Sequence, residues 1–317
     1  MKNNSLINGG TFLRKHKRHR INKKLHKEPP MTVCIAVIAD SLSGSPKIVF
    51  AADRLISAGV FFESGVSKVK RLADYAWVMV STNDGLASDT MIIKLQKFVN
   101  EFLERGKIIT IEQIVEQLSK ECEKRLSAER EKEILSPYGL TYSEFIEKSL
   151  KMPEDLVKKI NINLNSFQYD FSAEFLVIGI DTNPHIYIVN EHGDCASSDL
   201  ESFAIIGSGK FLAFPELTKY QHNPTVPLTD AIVRVYTSKK VAERIGGVGK
   251  LTDIGVLWVD KDKRVLHWEL SDDDKKFLDG KIEDMRKQEG ETIAGFTNEM
   301  FKWFTRDIAK KESNQQT

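Results

Sequence analysis

The amino-acid sequence predicts an α+β fold, a four-layer αββα sandwich of two mainly antiparallel sheets flanked by helices. Two observations favour it. Short apolar runs with the spacing of strands occur near the start, in the middle and toward the end of the chain, and pairs of segments with helical spacing separate them. This order of strands, two helices, strands, two helices and strands differs from the regular alternation that builds parallel sheets.

The first part of the chain is expected to hold four strands and two helices. Val33, Ile35 and Val37 alternate as in a strand, and the serine-rich stretch 41–46 is typical of a turn. In chain order, we expect strands at 33–37, 48–50, 66–72 and 75–81, and helices at 86–104 and 111–126.

The second part is expected to repeat this order after a charged, less regular stretch at 127–170, which we interpret as a helical insertion. The elements expected from there on are weak helices at 142–150 and 154–160, strands at 174–180, 185–189 and 202–206, helices at 211–220 and 228–244, and strands at 253–259 and 265–270. The predicted organisation is therefore a leader (1–30), one domain (31–270) and a C-terminal helical extension (271–317).

Composition places the chain among globular proteins that can bury a core. It has 317 residues, of which 41% are hydrophobic and 29% charged. No run of about 18 apolar residues occurs, so we expect no membrane partner. Cys34, Cys122 and Cys195 share no metal-binding or disulfide spacing, and this favours a reducing, cytoplasmic setting without a metal ion or other cofactor.

Charge is distributed unevenly along the chain. Residues 1–30 contain nine Lys or Arg and one acid, whereas the rest holds 37 basic and 44 acidic residues, a net charge of −7. A basic arm could neutralise nucleic-acid phosphates, but the acidic body makes nucleic acid an unlikely partner. The segment also lacks the apolar stretch of a secretory signal and any packing periodicity. We therefore interpret 1–30 as a disordered leader or an upstream segment outside the functional chain.

Three residues near the start have the types and order of a catalytic group. Thr32 directly follows Met31 and opens an apolar strand, Asp53 ends the next apolar run, and Lys68 follows Asp53 by 15 positions. If Met31 were removed, Thr32 would carry a free α-amino group beside its hydroxyl, the arrangement of an N-terminal nucleophile. Each residue alone has a simpler interpretation as a strand threonine, a turn aspartate or a solvated lysine.

Further segments extend this pattern along the chain. They are Thr-Val-Cys-Ile-Ala at 32–36, Phe-Ala-Ala-Asp-Arg at 50–54, Ser-Ala-Gly-Val at 57–60, the segment 179–187, Ile-Gly-Ser-Gly at 206–209 and the segment 247–254. In this order they resemble the proteasome-type N-terminal nucleophile (Ntn) hydrolases, in particular the bacterial proteasome-related proteins called Anbu. The resemblance covers about 31–130 and 172–265.

The resemblance implies the Ntn-hydrolase fold and assigns roles to individual residues. Thr32 would be the nucleophile, Lys68 would assist removal of its hydroxyl proton, and Asp53 would hold Lys68. Ser208 and Asp253 would orient the amine and the backbone around Thr32, although a Gly-Ser-Gly serine is also a common helix N-cap. The family's oxyanion-hole glycine would correspond to Gly85, but the alignment slips by one and Asp84 is the alternative occupant.

Other candidate residues have plainer interpretations. Cys34 lies two positions along the strand from Thr32, on the same face, and could be a rival nucleophile; we interpret it as a buried core residue. The histidines have no ligand spacing. The glycine-rich stretch 246–249 precedes a strand and lacks the ending of a phosphate-binding loop.

The candidate residues and the resemblance together predict a threonine-type peptidase that acts on peptides or unfolded proteins. The resemblance further implies a homo-oligomeric ring and leaves an ATPase partner open. The alternative is a catalytically inactive proteasome-fold subunit with a structural or binding role, which would keep its N-terminal extension. The C-terminal tail carries the apolar residues Phe296, Met300, Phe301, Phe304 and Ile308 at helical spacing. These residues could pack on their own domain, but we predict that they contribute to subunit contacts.

Overall fold

A computed structural model describes residues 32–57, 61–63, 67–219, 221–245 and 248–315, and of residues 55–57, 61–63 and 303–315 it describes the backbone alone. The leader 1–30 lies outside these residues. The strands are β1 (Cys34–Ala39), β2 (Lys47–Asp53), β3 (Leu55–Ser57), β4 (Phe61–Glu63), β5 (Val69–Ala73), β6 (Ala76–Thr82), β7 (Ala173–Ile180), β8 (Pro184–Asn190), β9 (Cys195–Ser197), β10 (Phe203–Ile206), β11 (Thr252–Val259) and β12 (Val265–Glu269). The α-helices are α1 (Gly85–Glu104), α2 (Ile111–Arg130), α3 (Tyr142–Lys148), α4 (Glu154–Asn165), α5 (Lys210–Thr218), α6 (Leu228–Ala242) and α7 (Asp272–Gln315).

The described strands form two five-stranded antiparallel sheets and one short hairpin. The first sheet has the order β10-β1-β2-β11-β12, and the second has the order β5-β6-β7-β8-β9. β3 pairs with β4 in a separate hairpin. The mixed α+β class and the antiparallel pairing expected from the sequence are therefore present.

Strand β1 shows why the sheets stack. Its residues are all buried, because alternate side chains leave opposite faces of a strand. Ile35 and Val37 join a core cluster with helices α5, α6 and α7, whereas Cys34 and Ala36 join a cluster that also contains residues of the second sheet. A third cluster lies between the second sheet and helices α1 and α2. These three clusters are compatible with a sandwich in which helices cover both outer faces.

Helices α1 and α2 begin at strong capping residues. The Asp84 side chain accepts a hydrogen bond from the Ala87 amide at 3.0 Å, which caps α1. Thr110 and Gln113 form a reciprocal capping box at the start of α2. Both helices then bury one apolar face on the second sheet, with Leu95, Val99, Ile114 and Leu118 fully buried.

The insertion expected at 127–170 has a small core of its own. Helix α2 continues to Arg130 and passes into a π-helical turn, Glu131–Leu135. Ile134, Leu135, Phe145 and Ile160 then pack together as a separate buried cluster. The insertion is thus held by its own apolar contacts beside the end of α2.

Helix α7 begins on the domain and then leaves it. Leu278 and Ile282 are buried in the cluster beneath the first sheet. From residue 283 to residue 302 every side chain is exposed. With 44 residues the helix is about 66 Å long. No helix among the described residues is long and apolar enough to cross a membrane.

Candidate active site

Thr32 lies two residues before the first residue of β1, and its backbone is held by the Gly-Ser-Gly turn. Its carbonyl oxygen accepts a hydrogen bond from the Gly209 amide at 2.9 Å, and its own amide donates to Ser208 Oγ at 3.3 Å. The residue is only 3% exposed. The turn, which joins β10 to α5, therefore fixes the position of Thr32 from the edge strand that pairs with β1.

This turn requires glycine at position 207. Gly207 has a φ of +86°, and a Cβ placed there would lie 2.3 Å from the Thr32 carbonyl oxygen. A side chain at this position would be strained and would also push the Thr32 backbone away. Glu174 supports the same turn: its carboxylate accepts from the Gly207 amide at 2.8 Å and pairs with Lys210 at 3.1 Å.

Lys68 connects Thr32 to Asp53. Its ammonium group donates to Thr32 Oγ1 at 2.7 Å and to Asp53 Oδ1 at 2.9 Å. The Asp53 side chain is completely buried and the Lys68 side chain is 13% exposed. Lys68 precedes β5 in the second sheet, whereas Asp53 ends β2 in the first sheet. The three residues therefore meet where the ends of strands from both sheets come together.

Asp53 is anchored from two further sides. Its Oδ1 accepts a hydrogen bond from the Val33 amide at 3.0 Å, and its Oδ2 accepts from the Gly249 amide at 3.1 Å. A buried carboxylate is costly unless such donors surround it. Two backbone amides and one ammonium group thus hold the Asp53 carboxylate in a single orientation beside Lys68.

Asp253 pairs with Arg54 beside the candidate site. It lies on β11 opposite Ala52, and its Oδ1 accepts from Arg54 Nε at 2.6 Å. Among the described residues, Oδ2 of Asp253 is buried without a hydrogen-bond partner, and no hydrogen bond joins Asp253 to Thr32. The structure therefore pairs Asp253 with Arg54. A role of Asp253 in orienting the groups around Thr32 stays a prediction.

Gly85 is the first residue of α1, a helix that starts just after β6. Helix α1 begins four residues after Ser81. The Ser81 hydroxyl lies close to the Gly-Ser-Gly turn, since a Cβ placed at Gly207 would be 3.2 Å from it. The Asp84 carboxylate caps its own helix at Ala87, an arrangement that accounts for the aspartate next to Gly85. An oxyanion role for the Gly85 amide stays a prediction.

Cys34 lies near the same site but is chemically protected. Its thiol is buried and contacts the Val80 carbonyl oxygen at 3.9 Å. Desolvation by burial raises the pKa of the Cys34 thiol far above its ordinary value, although the nearby Lys68 acts in the opposite direction. Since the thiolate is the reactive form, this environment disfavours Cys34 as a nucleophile.

Sequence reasoning missed the residues that support the site from a distance. The sequence identified Glu174 only as the first residue of an expected strand. It identified Gly249 only as part of the segment 247–254, one of those that carry the family resemblance. Glu174 did leave one signal, because a carboxylate that opens an otherwise apolar strand must find a partner. Gly249 left none, since its contribution is a backbone amide.

Among the residues with a described position, no three His, Cys, Asp or Glu side chains are arranged so that they could hold a metal ion. Thr32, Lys68 and Asp53 instead form a hydroxyl, ammonium and carboxylate series with hydrogen-bond spacing. Such a series can lower the proton affinity of the hydroxyl and orient it for attack.

We found no protein-family model that matches the chain and no curated protein with significant similarity to it.

Proposed function

We propose that the chain is an N-terminal threonine hydrolase of the proteasome type, with the Ntn-hydrolase fold, that cleaves peptide bonds through Thr32. One observation carries the proposal: Lys68 Nζ lies within hydrogen-bond distance of both Thr32 Oγ1 and the buried Asp53 carboxylate. The two stacked antiparallel sheets, with Thr32 at the start of β1, support it.

The reaction would require removal of everything before Thr32. In the sequence Met31 precedes Thr32, so the Thr32 nitrogen is an amide and cannot accept a proton. After cleavage the α-amino group becomes a base within reach of its own hydroxyl. Ser208 Oγ, which accepts from this nitrogen at 3.3 Å, would then orient the amine.

The chemical steps would follow from this arrangement. The α-amino group takes the Thr32 Oγ1 proton, while the Lys68 ammonium group stabilises the developing negative charge. Oγ1 then attacks the substrate carbonyl carbon, and the amine product leaves with the proton as the ester forms. Water activated by the α-amino group next hydrolyses this ester, which restores the hydroxyl. Asp53 holds Lys68 in place during these steps.

A peptidase assay on processed protein tests the proposal. Intact mass should first show that the chain starts at Thr32, and a panel of fluorogenic peptides should then be hydrolysed. Thr32→Ala should abolish the hydrolysis without changing the circular dichroism spectrum. Active protein that still carries residues 1–31 would contradict the mechanism, as would peptidase activity that survives Thr32→Ala.

The catalytically inactive subunit is the second candidate. Two observations favour it: Thr32 follows Met31 in the sequence, and the threonine is almost fully buried. A processed, assembled sample that hydrolyses none of the peptides and does not react with a peptide β-lactone at Thr32 would support this candidate over the hydrolase.

The remaining features of the proposal concern its setting. We infer peptides or unfolded proteins as substrates, a homo-oligomeric ring as the assembly and the cytoplasm as the location. The exposed apolar residues of α7 support assembly, since large exposed apolar side chains tend to mark contact surfaces.

A further inference from the structure

The structure contains one feature that the proposed reaction does not use: a fully buried lysine on helix α6. The side chain of Lys239 is 0% exposed and carries an ammonium group into the interior. Burying an ammonium group costs several kcal/mol unless it is paired and hydrogen-bonded. Its contacts should therefore show what the residue does.

Lys239 binds one carboxylate and three consecutive backbone carbonyls. Its three N–H donors are shared among Glu243 Oε1 at 2.6 Å and the carbonyl oxygens of Gly249, Lys250 and Leu251 at 2.8, 3.0 and 3.4 Å. Burial lowers the pKa of Lys239, whereas the carboxylates of Glu243 and Asp53 act in the opposite direction. Glu243 satisfies the charge, and the other donors hold the segment 249–251.

The segment 249–251, which Lys239 holds, also contacts Asp53 and the neighbouring Arg54. The Gly249 amide donates to Asp53 Oδ2 at 3.1 Å, and the Leu251 carbonyl accepts from the Arg54 amide at 3.2 Å. Asp53 in turn binds Lys68. Four successive contacts thus link Lys239 to Thr32, which it does not touch.

We propose that Lys239 is a positioning residue for the Thr32 site, which holds the segment 249–251 so that Gly249 fixes the Asp53 carboxylate beside Lys68. The inference rests on the proposed function, because it assigns a supporting residue to that reaction. A role in fold stability alone is the competing explanation, and the two differ in a measurable way.

The test replaces the buried ion pair with neutral side chains of similar size. Lys239→Met combined with Glu243→Gln removes the ammonium group without leaving a buried carboxylate unpaired. Lys240→Met is the matched control, because Lys240 is the next residue, also pairs with Glu243, and is 25% exposed. Each protein, with a chain start at Thr32, is treated with a peptide β-lactone, and acylation of Thr32 is followed by intact mass.

The rate constant and the final extent of acylation separate the two explanations. Partial unfolding lowers the final extent of acylation, because a smaller fraction of the sites can react. Misplacement of Lys68 instead lowers the rate constant of acylation at every site. We expect the double variant to reach the wild-type extent with a rate constant lower by about tenfold or more, since small displacements of a catalytic group are costly. Lys240→Met should stay within about twofold of wild type.

Two outcomes for the double variant would overturn the inference while leaving the proposed function intact. One is a wild-type rate constant of acylation with a wild-type extent, and the other is a lower final extent of acylation with an unchanged rate constant. If wild-type protein itself is not acylated, the proposed function fails and the inference fails with it. Should the double variant not fold, Lys239→Arg replaces it, because its planar guanidinium keeps the charge but cannot reproduce the ammonium contacts with consecutive carbonyls. The same fall in rate constant is then expected, and an unchanged rate constant would overturn the inference.

Discussion

At the scale of single residues, the candidate site is organised around the Asp53 carboxylate. This group has no exposure, and it receives hydrogen bonds from two backbone amides and from Lys68. The amides are those of Val33, just before β1, and of Gly249, in the segment before β11, so Asp53 joins three parts of the chain. A change at any of these contacts should therefore reach Lys68 and, through it, the Thr32 hydroxyl.

Lys68 should be indispensable for activity, whereas nearby Lys70 should not. Lys68→Ala removes the only described side-chain donor to Thr32 Oγ1, so peptide hydrolysis should fall to background while the protein stays folded. Lys70→Ala, two positions along, should keep hydrolysis close to wild type. If Thr32, Asp53 and Lys68 act as one unit, Thr32→Ala alone should lose nearly as much activity as the triple variant. Additive losses in a steady-state assay would contradict this unit.

Cys34 should contribute to packing and not to catalysis. Cys34→Ala should retain peptidase activity and lower the free energy of unfolding by about 1 kcal/mol, the cost of removing one small buried group. Its raised pKa and burial also predict slow alkylation of the native protein by iodoacetamide. Exposed Cys195 should react first, which peptide mapping can show. Loss of activity in Cys34→Ala, with hydrolysis surviving in Thr32→Ala, would transfer the nucleophile to the thiol.

The sequence singled out the three residues that the structure brings together more readily than the residues that contact them. Thr32, Asp53 and Lys68 could be singled out because their types and spacing carry chemical meaning. The contacts of Gly249 and Lys239 could not be predicted, since a backbone amide leaves no mark in the sequence and a lysine on a helix is usually exposed. Asp253 was expected beside Thr32, but its described partner is Arg54.

At the scale of elements, the long and periodic segments were predicted well. Helix α1 was expected at 86–104 and is observed at Gly85–Glu104. The three-residue strand β9 was missed because all its side chains are exposed, so it carries no apolar alternation. The hairpin of β3 and β4 was also missed, since strands of three residues give too short a pattern.

Glu121 should make the pairing of α1 and α2 dependent on pH. It lies on α2 and pairs with Lys94 on α1 and with Lys124. Burial alone would raise the pKa of Glu121, but these lysines outweigh it and hold the pKa below the ordinary value of 4.5. A carboxylate with a depressed pKa stabilises the folded state above that ordinary value, and this contribution is lost as the pH falls through the folded-state pKa.

Urea unfolding of wild type and Glu121→Gln measures this contribution. The substitution should lower the free energy of unfolding by about 1 kcal/mol at neutral pH, a modest value because both lysines are largely exposed. The difference should shrink as the pH is lowered from about 5 to about 3. Glu116→Gln, whose carboxylate is exposed, is the control. A difference that grows with acidification would refute the assignment.

At the scale of the whole molecule, one side of helix α7 carries apolar residues in two environments, on either side of Glu289, which pairs with Lys219. Leu278, Ile282, Ile293, Phe296 and Met300 lie on one side of the helix at about 100° per residue. The first two are buried in the core, whereas Ile293, Phe296 and Met300 are 65%, 64% and 39% exposed. The predicted stripe also included Phe301, which is exposed, and Phe304 and Ile308, whose side chains lie outside the described residues.

This exposed part of the stripe should hold copies of the chain together. The same face that buries Leu278 continues past the domain, so its outer part should be covered by another subunit. Truncation after Gly290 keeps the buried turns of α7 and should lower the oligomer mass in light scattering, and Phe296→Ser with Met300→Ser should do the same. Asn298→Ser, on the opposite side of the helix, should leave the mass unchanged. An unchanged oligomer in the folded truncation would refute the stripe as a contact surface, and the assembly would then have to form through the body of the domain.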